Sequence, residues 1–336
     1  MPRPNSLPGL LDALPLHPGN SGEAVRDLQH RLGRAGHPCD ADDAGSYGGA
    51  TEAAVRAFQD RRGLRSDGVC GDQTWTSLVE SGYRLGDRLL SLRSPMLRGD
   101  DVAQLQQLLG ALGFDAGRVD GILGPDTAAA ITDFQRNAGL IPDGICGPDT
   151  VAGLRLFASR LDGEFPAATL AHVREVESLR AAPAQLAGRR IAIGHGAGSA
   201  ALAAAVARTL SAEGAVLAVL GDPDDEAQAH AANDFAAELY LGLVVRGEPG
   251  ATAAFYERDD YSSVGGRRLA ELALQALDAV GCPAVGPRGM RLTVLRATRM
   301  PAVVVEVGDP TTVVARLADV AAAVAAGVSA WAHQPV

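Results

Sequence analysis

Lysine is absent from this sequence of 336 residues, so all 30 of its basic residues are arginine. The absence excludes lysine-based chemistry, including Schiff-base formation and the phosphate-binding lysine of a P-loop. Codon usage in a GC-rich genome explains it better than a functional requirement does. Acidic residues number 40, which gives a formal net charge of -10. Because nucleic acids and anionic membranes attract basic surfaces, this charge predicts neither as a partner.

Aromatic residues and long apolar runs are also scarce. Aromatics make up 4% of the residues, against 47% for all hydrophobic residues, so the cores must be built from Ala, Val and Leu. No stretch reaches the roughly 18 uninterrupted apolar residues of a membrane span. Pro8, Asp12 and Pro15 interrupt the apolar stretch near the start where a secretory signal would lie. We therefore expect a cytoplasmic protein without a signal peptide or a transmembrane segment.

Four cysteines are present, and none of them forms a C-x-x-C pair, so no zinc-ribbon or redox motif is predicted. Cys70 and Cys146 fall at equivalent places in two repeats, which predicts small buried side chains there. A disulfide between Cys39 and Cys70 is compatible with their positions. A reducing compartment disfavours it.

Two copies of one motif lie in the first half of the chain. The stretch from Asp67 to Thr74, Asp-Gly-Val-Cys-Gly-Asp-Gln-Thr, recurs 76 residues later as Asp-Gly-Ile-Cys-Gly-Pro-Asp-Thr. The same offset relates Phe58-Gln59 to Phe134-Gln135. This self-similarity predicts two copies of one structural unit.

Each copy is predicted to form three short helices. The spacing of Val25, Leu28 and Leu32 places three apolar side chains on one face of the first helix. Glycine-rich turns separate this helix from the two that follow. A threonine occupies the expected N-cap position of the second and third helices in each copy, at Thr51, Thr74, Thr127 and Thr150.

The repeated pattern resembles the type 1 peptidoglycan-binding domain, and we assign such domains to residues 16–82 and 92–159. The resemblance implies a small three-helix fold that binds the peptide or the glycan of the cell wall. The matching residues are mostly glycines, predicted helix caps and core side chains, which specify the fold and not the ligand. The resemblance thus predicts the fold directly. Peptidoglycan is predicted as the partner because it is the ligand that the family implies.

The rest of the chain follows a different pattern. Residues 160–185 contain Pro166 and Pro183 among charged residues and are predicted to form a linker with one helix. Between residues 186 and 336, apolar runs typical of buried strands alternate with helical segments, the last of which is predicted from Thr311 to Ala330. This alternation predicts an α/β domain whose sheet is covered by helices on both faces.

Three stretches of this third domain resemble the zinc-dependent N-acetylmuramoyl-L-alanine amidases. The resemblance implies an amidase-like mixed sheet flanked by helices. In that family a zinc ion, held by His, Glu and His, activates a water molecule that attacks the amide bond between muramic acid and L-alanine. The three stretches are Ile191-Ala-Ile-Gly-His-Gly196, Ala229-His-Ala-Ala-Asn233 with the segment 237–241, and residues 295–308, which include Pro301-Ala-Val-Val-Val-Glu306.

Carried over to this sequence, the resemblance places His195 at the first zinc-ligand position and Glu306 at the catalytic position. The second ligand has no counterpart, since no carboxylate lies between His195 and Glu213. Val244 occupies the third ligand position, and a valine side chain cannot bind a metal. One histidine alone cannot hold zinc usefully. His195 and Glu306 are therefore predicted to be vestigial, and no cofactor is expected.

The domain order resembles a narrower group, the CwlM-like cell-wall regulators of actinobacteria. We expect a non-catalytic, regulatory pseudoenzyme that binds peptidoglycan fragments or precursors, with a cell-wall biosynthesis enzyme as a further candidate partner. Two alternatives stay open at this point. One is an active amidase that uses zinc at a rearranged site, and the other is a scaffold that binds neither sugar nor peptide.

Overall fold

The computed structural model describes residues 14–159, 168–258 and 261–334. The first residues, where a signal sequence was considered, and much of the predicted linker lie outside these ranges. The chain divides into two compact units, Met1–Ala171 and His172–Val336. Each unit is described by itself.

The first unit contains two successive groups of three helices, as the repeated motif predicts. Each group has its own buried core, in which Leu28, Phe58 and Trp75 of the first copy pack together. Leu105 and Phe134 pack in the core of the second copy. The helices are α1 (Glu23–Arg34), α2 (Gly49–Arg61) and α3 (Asp72–Glu80), then α4 (Asp100–Ala111), α5 (Pro125–Ala138) and α6 (Pro148–Ala158).

A glutamine closes the turn that follows its helix, and the arrangement occurs twice in each copy. In the first copy, Nε2 of Gln59 donates to Oδ1 of Asp67 at 2.8 Å and to Oγ1 of Thr74 at 3.0 Å. Its Oε1 accepts from the backbone N–H of Gly68 at 2.9 Å. Because Gly68 has a φ of 74°, a conformation that glycine adopts most easily, the Asp-Gly pair of the motif is explained by this turn. The corresponding glutamines elsewhere are Gln29, Gln106 and Gln135.

The prediction that threonines cap these helices is wrong. The N-caps are glycines, Gly48 and Gly71 in the first copy, and Thr51 and Thr74 lie in the first helical turn instead. In the second copy Gly124 and Gly147 are the N-caps, and Thr127 and Thr150 lie in the first helical turn. The threonine hydroxyls accept hydrogen bonds from the glutamines. They therefore stabilise the turns and do not cap the helices.

The four cysteines are buried free thiols, so Cys39 and Cys70 are not joined by a disulfide. The prediction of buried side chains at Cys70 and Cys146 is confirmed, with exposures of 0% and 1%. Burial raises the pKa of both thiols to about 12. Both cysteines act as small core residues and have no thiolate character at neutral pH.

The second unit is an α/β domain with a mixed sheet, as predicted. The sheet order is β2-β1-β3-β7-β4-β5, and β6 also pairs with β4. Strands β1, β2, β3 and β7 run parallel, while β4 runs antiparallel to β7. The strands are β1 (Arg190–His195), β2 (Val216–Leu220), β3 (Leu239–Arg246), β4 (Gly250–Arg258), β5 (Tyr261–Ser262), β6 (Arg288–Met290) and β7 (Ala302–Gly308).

Helices lie on both sides of this sheet. Ile193, Leu241 and Val305 lie on one face and belong to the main core, together with apolar residues of α8, α10 and α13. Helices α9 and α11 contact each other, and α11 contacts β4 and β7. The helices are α7 (Ala168–Ala181), α8 (Ala200–Ala212), α9 (Asp225–Asp234), α10 (Val264–Ala279), α11 (Thr293–Ala297), α12 (Pro310–Ala315) and α13 (Leu317–His333).

Two features of this unit differ from the simple alternation of strands and helices. The predicted helix from Thr311 to Ala330 is interrupted at Arg316, whose backbone angles of -122° and 28° are not helical. Helix α7 falls within the predicted linker, yet Leu179 is buried in the core of the second unit. No helix of the described ranges combines the length and the apolar character needed to cross a membrane.

Candidate functional site

The two predicted site residues lie toward the carboxyl ends of parallel strands. His195 is the last residue of β1, and Glu306 lies in β7 two residues before its end. Strand β3 lies between β1 and β7. The strand order reverses at β1, which has β2 on one side and β3 on the other, and ligands of open α/β sheets bind outside the carboxyl ends at such a switch point.

A tyrosine packs against the glycine that precedes His195. A Cβ atom at Gly194 would lie 1.9 Å from the hydroxyl of Tyr240, so only glycine fits there. That hydroxyl donates to Oε1 of Gln228 at 2.8 Å, and burial raises the pKa of the Tyr240 phenol well above its ordinary value. Nε2 of Gln228 donates to the carbonyl of Asp222 at 2.5 Å. This network holds the end of β1 against α9.

His195 does not face Glu306. In the sheet register His195 pairs with Leu243, which pairs with Val305. Glu306 is one residue further along, and successive side chains of a strand point to opposite faces. The His195 ring instead lies beside Gly221, where a Cβ atom would be 2.9 Å from Cε1 of the ring.

Glu306 pairs with an arginine that the sequence interpretation did not single out. Nη1 of Arg246 lies 3.2 Å from Oε2 of Glu306, and the two side chains are 26% and 12% exposed. Thr252, opposite Glu306 on β4, donates from its hydroxyl to the same Oε2 at 3.4 Å. A guanidinium therefore provides the positive charge beside the carboxylate at the predicted catalytic position.

The residues of this site do not fit a zinc ion. Val244 pairs with Glu306 in the register of β3 and β7, so the predicted third ligand position does lie beside Glu306, but its side chain has no donor atom. In the described ranges, no group of three or more His, Cys, Asp and Glu residues is arranged to hold a metal. Zinc sites require three or four converging donor side chains. A valine and a guanidinium beside Glu306 satisfy none of these positions.

The second ligand position is absent because the connection after β1 is short. Four residues, from Gly196 to Ser199, lead from β1 directly into α8. Ser199 is buried and its Oγ accepts from the backbone N–H of Val245 at 2.9 Å. This contact ties the turn to the end of β3.

Arg246 could have been found from the sequence by strand alternation. It lies two residues after Val244, so both side chains point to the same face of β3. Recognising its pairing with Glu306 also requires the register between β3 and β7. That register joins residues 62 positions apart in the chain and has no local sequence signal.

The repeated residues of the two N-terminal copies hydrogen-bond within their own turns. The Gln, Asp, Gly and Thr side chains and backbone groups of the motif bond to one another, as in the set around Gln135. These bonds close the turns. The motif therefore identifies the fold, and it does not by itself identify the surface that contacts a ligand.

Comparisons with known proteins agree with the two N-terminal repeats and with the α/β domain. Residues 21–78 and 98–154 match the peptidoglycan binding domain family. The chain is 36% identical over 296 residues to N-acetylmuramoyl-L-alanine amidase CwlM of Mycobacterium tuberculosis, covering 76% of this chain and 70% of that protein. It is 37% identical over 149 residues to N-acetylmuramoyl-L-alanine amidase CwlL of Bacillus licheniformis, covering 38% of this chain and 41% of that protein.

Solved amidase structures also resemble this chain. The catalytic domain of CwlV, an N-acetylmuramoyl-L-alanine amidase from Bacillus (Paenibacillus) polymyxa var. colistinus, is 19% identical to it, with a TM-score of 0.35. The match covers 43% of this chain and 97% of that domain.

Proposed function

This chain belongs to the N-acetylmuramoyl-L-alanine amidase family and carries two peptidoglycan-binding domains, and we propose that it binds peptidoglycan fragments or precursors without hydrolysing them. In this proposal the amidase-like domain is a pseudoenzyme. His195 and Glu306 are vestiges of a metal site, and Glu306 has a structural partner in place of a metal.

The pairing of Arg246 with Glu306 is the observation that carries the proposal. A catalytic carboxylate must be available to take a proton from water. Here Oε2 of Glu306 lies 3.2 Å from a guanidinium that is positively charged at every physiological pH. Val244, whose side chain has no donor atom, is the partner of Glu306 in the register of β3 and β7.

The proposed regulatory role follows from binding without cleavage. A protein that holds a peptidoglycan fragment intact reports the concentration of that fragment to whatever it contacts. Precursors are made in the cytoplasm, so we place this binding there, with an enzyme of cell-wall biosynthesis as the partner. Cell fractionation with an antibody to the chain tests the location, and recovery in the cell-wall fraction alone would contradict it.

Incubation with muropeptides tests the function directly. The full chain is supplied with excess zinc and a muramyl pentapeptide, and the new amine on L-alanine is measured by mass spectrometry beside an active zinc amidase. We expect saturable binding by calorimetry and no released amine. Release that disappears in Glu306→Gln would show an active amidase, and the absence of saturable heat would show a scaffold that binds no ligand.

A further inference from the structure

We propose that Arg246 binds a carboxylate: its guanidinium, positioned by Glu306, receives an acidic group of the peptidoglycan peptide. The inference rests on the proposed function, because it names the ligand group that the non-hydrolytic site recognises. It assigns a role to a residue that is not a counterpart of any zinc ligand.

The position of Arg246 in the sheet supports a ligand contact. Arg246 is the last residue of β3, whose neighbour β1 is the strand at which the strand order reverses. The crevice outside the ends of these two strands is where open α/β sheets bind ligands. Arg246 therefore lies at the edge of the expected binding crevice and not in the apolar core.

The donor atoms of Arg246 are only partly used. A guanidinium has five N–H donors, and in the described structure Nη1 faces Glu306 while Nε is enclosed without an acceptor. An enclosed donor without an acceptor is energetically unfavourable. About 26% of the side-chain surface is accessible. A carboxylate from solvent would bind the accessible N–H groups of the guanidinium that Glu306 does not engage.

The acidic residue next to the strand partner of Arg246 already has hydrogen-bond partners, so it does not occupy the guanidinium. Gly308 pairs with Arg246 in the register, and Asp309 follows it. The Asp309 carboxylate accepts from the backbone N–H and the hydroxyl of Thr312 at 2.9 and 2.8 Å, so it is engaged at the start of α12. Glu306 acts as a positioning residue, since it fixes one edge of the planar guanidinium and leaves the others for the ligand.

A matched pair of glycopeptides tests the assignment. Muramyl-L-Ala-D-Glu carries free carboxylates, and its diamide has the same shape without the charge. Calorimetry with the full chain is expected to show binding of the acid that is at least about tenfold tighter than binding of the diamide. Arg246→Lys, which keeps the charge but loses the planar fork, is expected to show a smaller preference.

The neutral double variant Arg246→Met/Glu306→Gln removes both charges, so no unpaired buried charge threatens folding. It is expected to bind the acid and the diamide equally, whereas Arg208→Met, on the exposed surface of α8, keeps the preference of the unaltered chain. Equal binding of both glycopeptides by the unaltered chain, or a preference that survives in the double variant, would overturn the assignment. Zinc-dependent cleavage of the amide would instead overturn the proposed function, and absence of binding to either glycopeptide would overturn both.

Discussion

At the scale of single residues, four glutamines, three of them buried, explain why the repeated motif is so regular. Each one bonds at once to a turn backbone, to a threonine hydroxyl and to a glycine N–H, as Gln59 and Gln135 show. Buried polar groups of this kind are costly when their partners are removed. The residues of the motif thus form one type of hydrogen-bonded turn, which occurs twice in each repeat.

Replacement of Gln59 by Leu is expected to lower the free energy of unfolding of the first repeat by about 2–4 kcal/mol, because several buried partners lose their hydrogen bonds together. Urea unfolding followed by circular dichroism measures the change. Asp60→Asn, on the exposed side of the same helix, is the control and should have little effect. A Gln59→Leu protein as stable as the control would show that the turn closes without the glutamine.

The carboxylate of Asp42 makes the stability of the first repeat dependent on acid. Hydrogen bonds from Thr51, with further backbone bonds from Ala50 and Gly48, lower its pKa below the ordinary 3.8. A lowered pKa in the folded state contributes stability above the unfolded value, and this stability is lost as the pH falls below about 3.8.

Asp42→Asn is therefore expected to lose less stability than the unaltered chain between pH 6 and pH 3, as measured by urea unfolding at each pH. The direction follows because asparagine does not titrate. Equal pH dependence in both proteins would mean that protonation of other groups controls the acid transition.

At the scale of elements, a carboxylate of helix α7 bonds to the start of α10, in addition to the packing of Leu179 in the core. Glu175 accepts hydrogen bonds from the hydroxyls of Tyr261 and Ser263 at 3.0 and 2.6 Å. It also accepts from the backbone N–H groups of Val264 and Gly265, in the first turn of α10. A carboxylate at this position satisfies donors that a helix start leaves unpaired. The helix within the predicted linker thus caps another helix.

Glu175→Ala is expected to destabilise the second unit by about 2 kcal/mol, since it removes hydrogen bonds to a charged acceptor at a helix start. Glu177→Ala is the matched control on the same helix, because Glu177 is 66% exposed and pairs with the exposed Arg180. Thermal unfolding of both variants measures the difference. Similar melting temperatures would contradict a capping role for Glu175.

At the scale of the whole molecule, an ion pair connects the two peptidoglycan-binding repeats. Nη1 and Nη2 of Arg62, at the end of α2, donate to the two carboxylate oxygens of Asp100, at the start of α4, at 2.8 and 2.9 Å. Bidentate pairs of this kind fix orientation as well as distance. The pair indicates that the repeats unfold together.

Arg62→Met is expected to cost about 2 kcal/mol and to separate the unfolding of the two repeats into distinct transitions in calorimetry. Arg136→Met is the control, since its pair with Asp133 is exposed on both sides and such pairs contribute little. A single transition in Arg62→Met, with unchanged stability, would show that the pair does not couple the repeats.

The sequence predicts much of this molecule because its signals are local. Helix periodicity, the repeated turn and the alternation of strands with helices all depend on residues close together in the chain. The threonine caps were wrong because a threonine near a helix start fits either a cap or a hydrogen bond to a distant glutamine. The contact between Arg246 and Glu306 was not predicted, because it depends on the register of β3 and β7.

We propose that the amidase-like domain holds no zinc at His195 and Glu306, and the zinc content of the full chain tests this proposal. The full chain is reconstituted with zinc, freed of excess metal and measured by mass spectrometry, beside His195→Ala. We predict far less than one zinc per chain, with no change in the variant. One tightly held zinc per chain that is lost in His195→Ala would contradict the account.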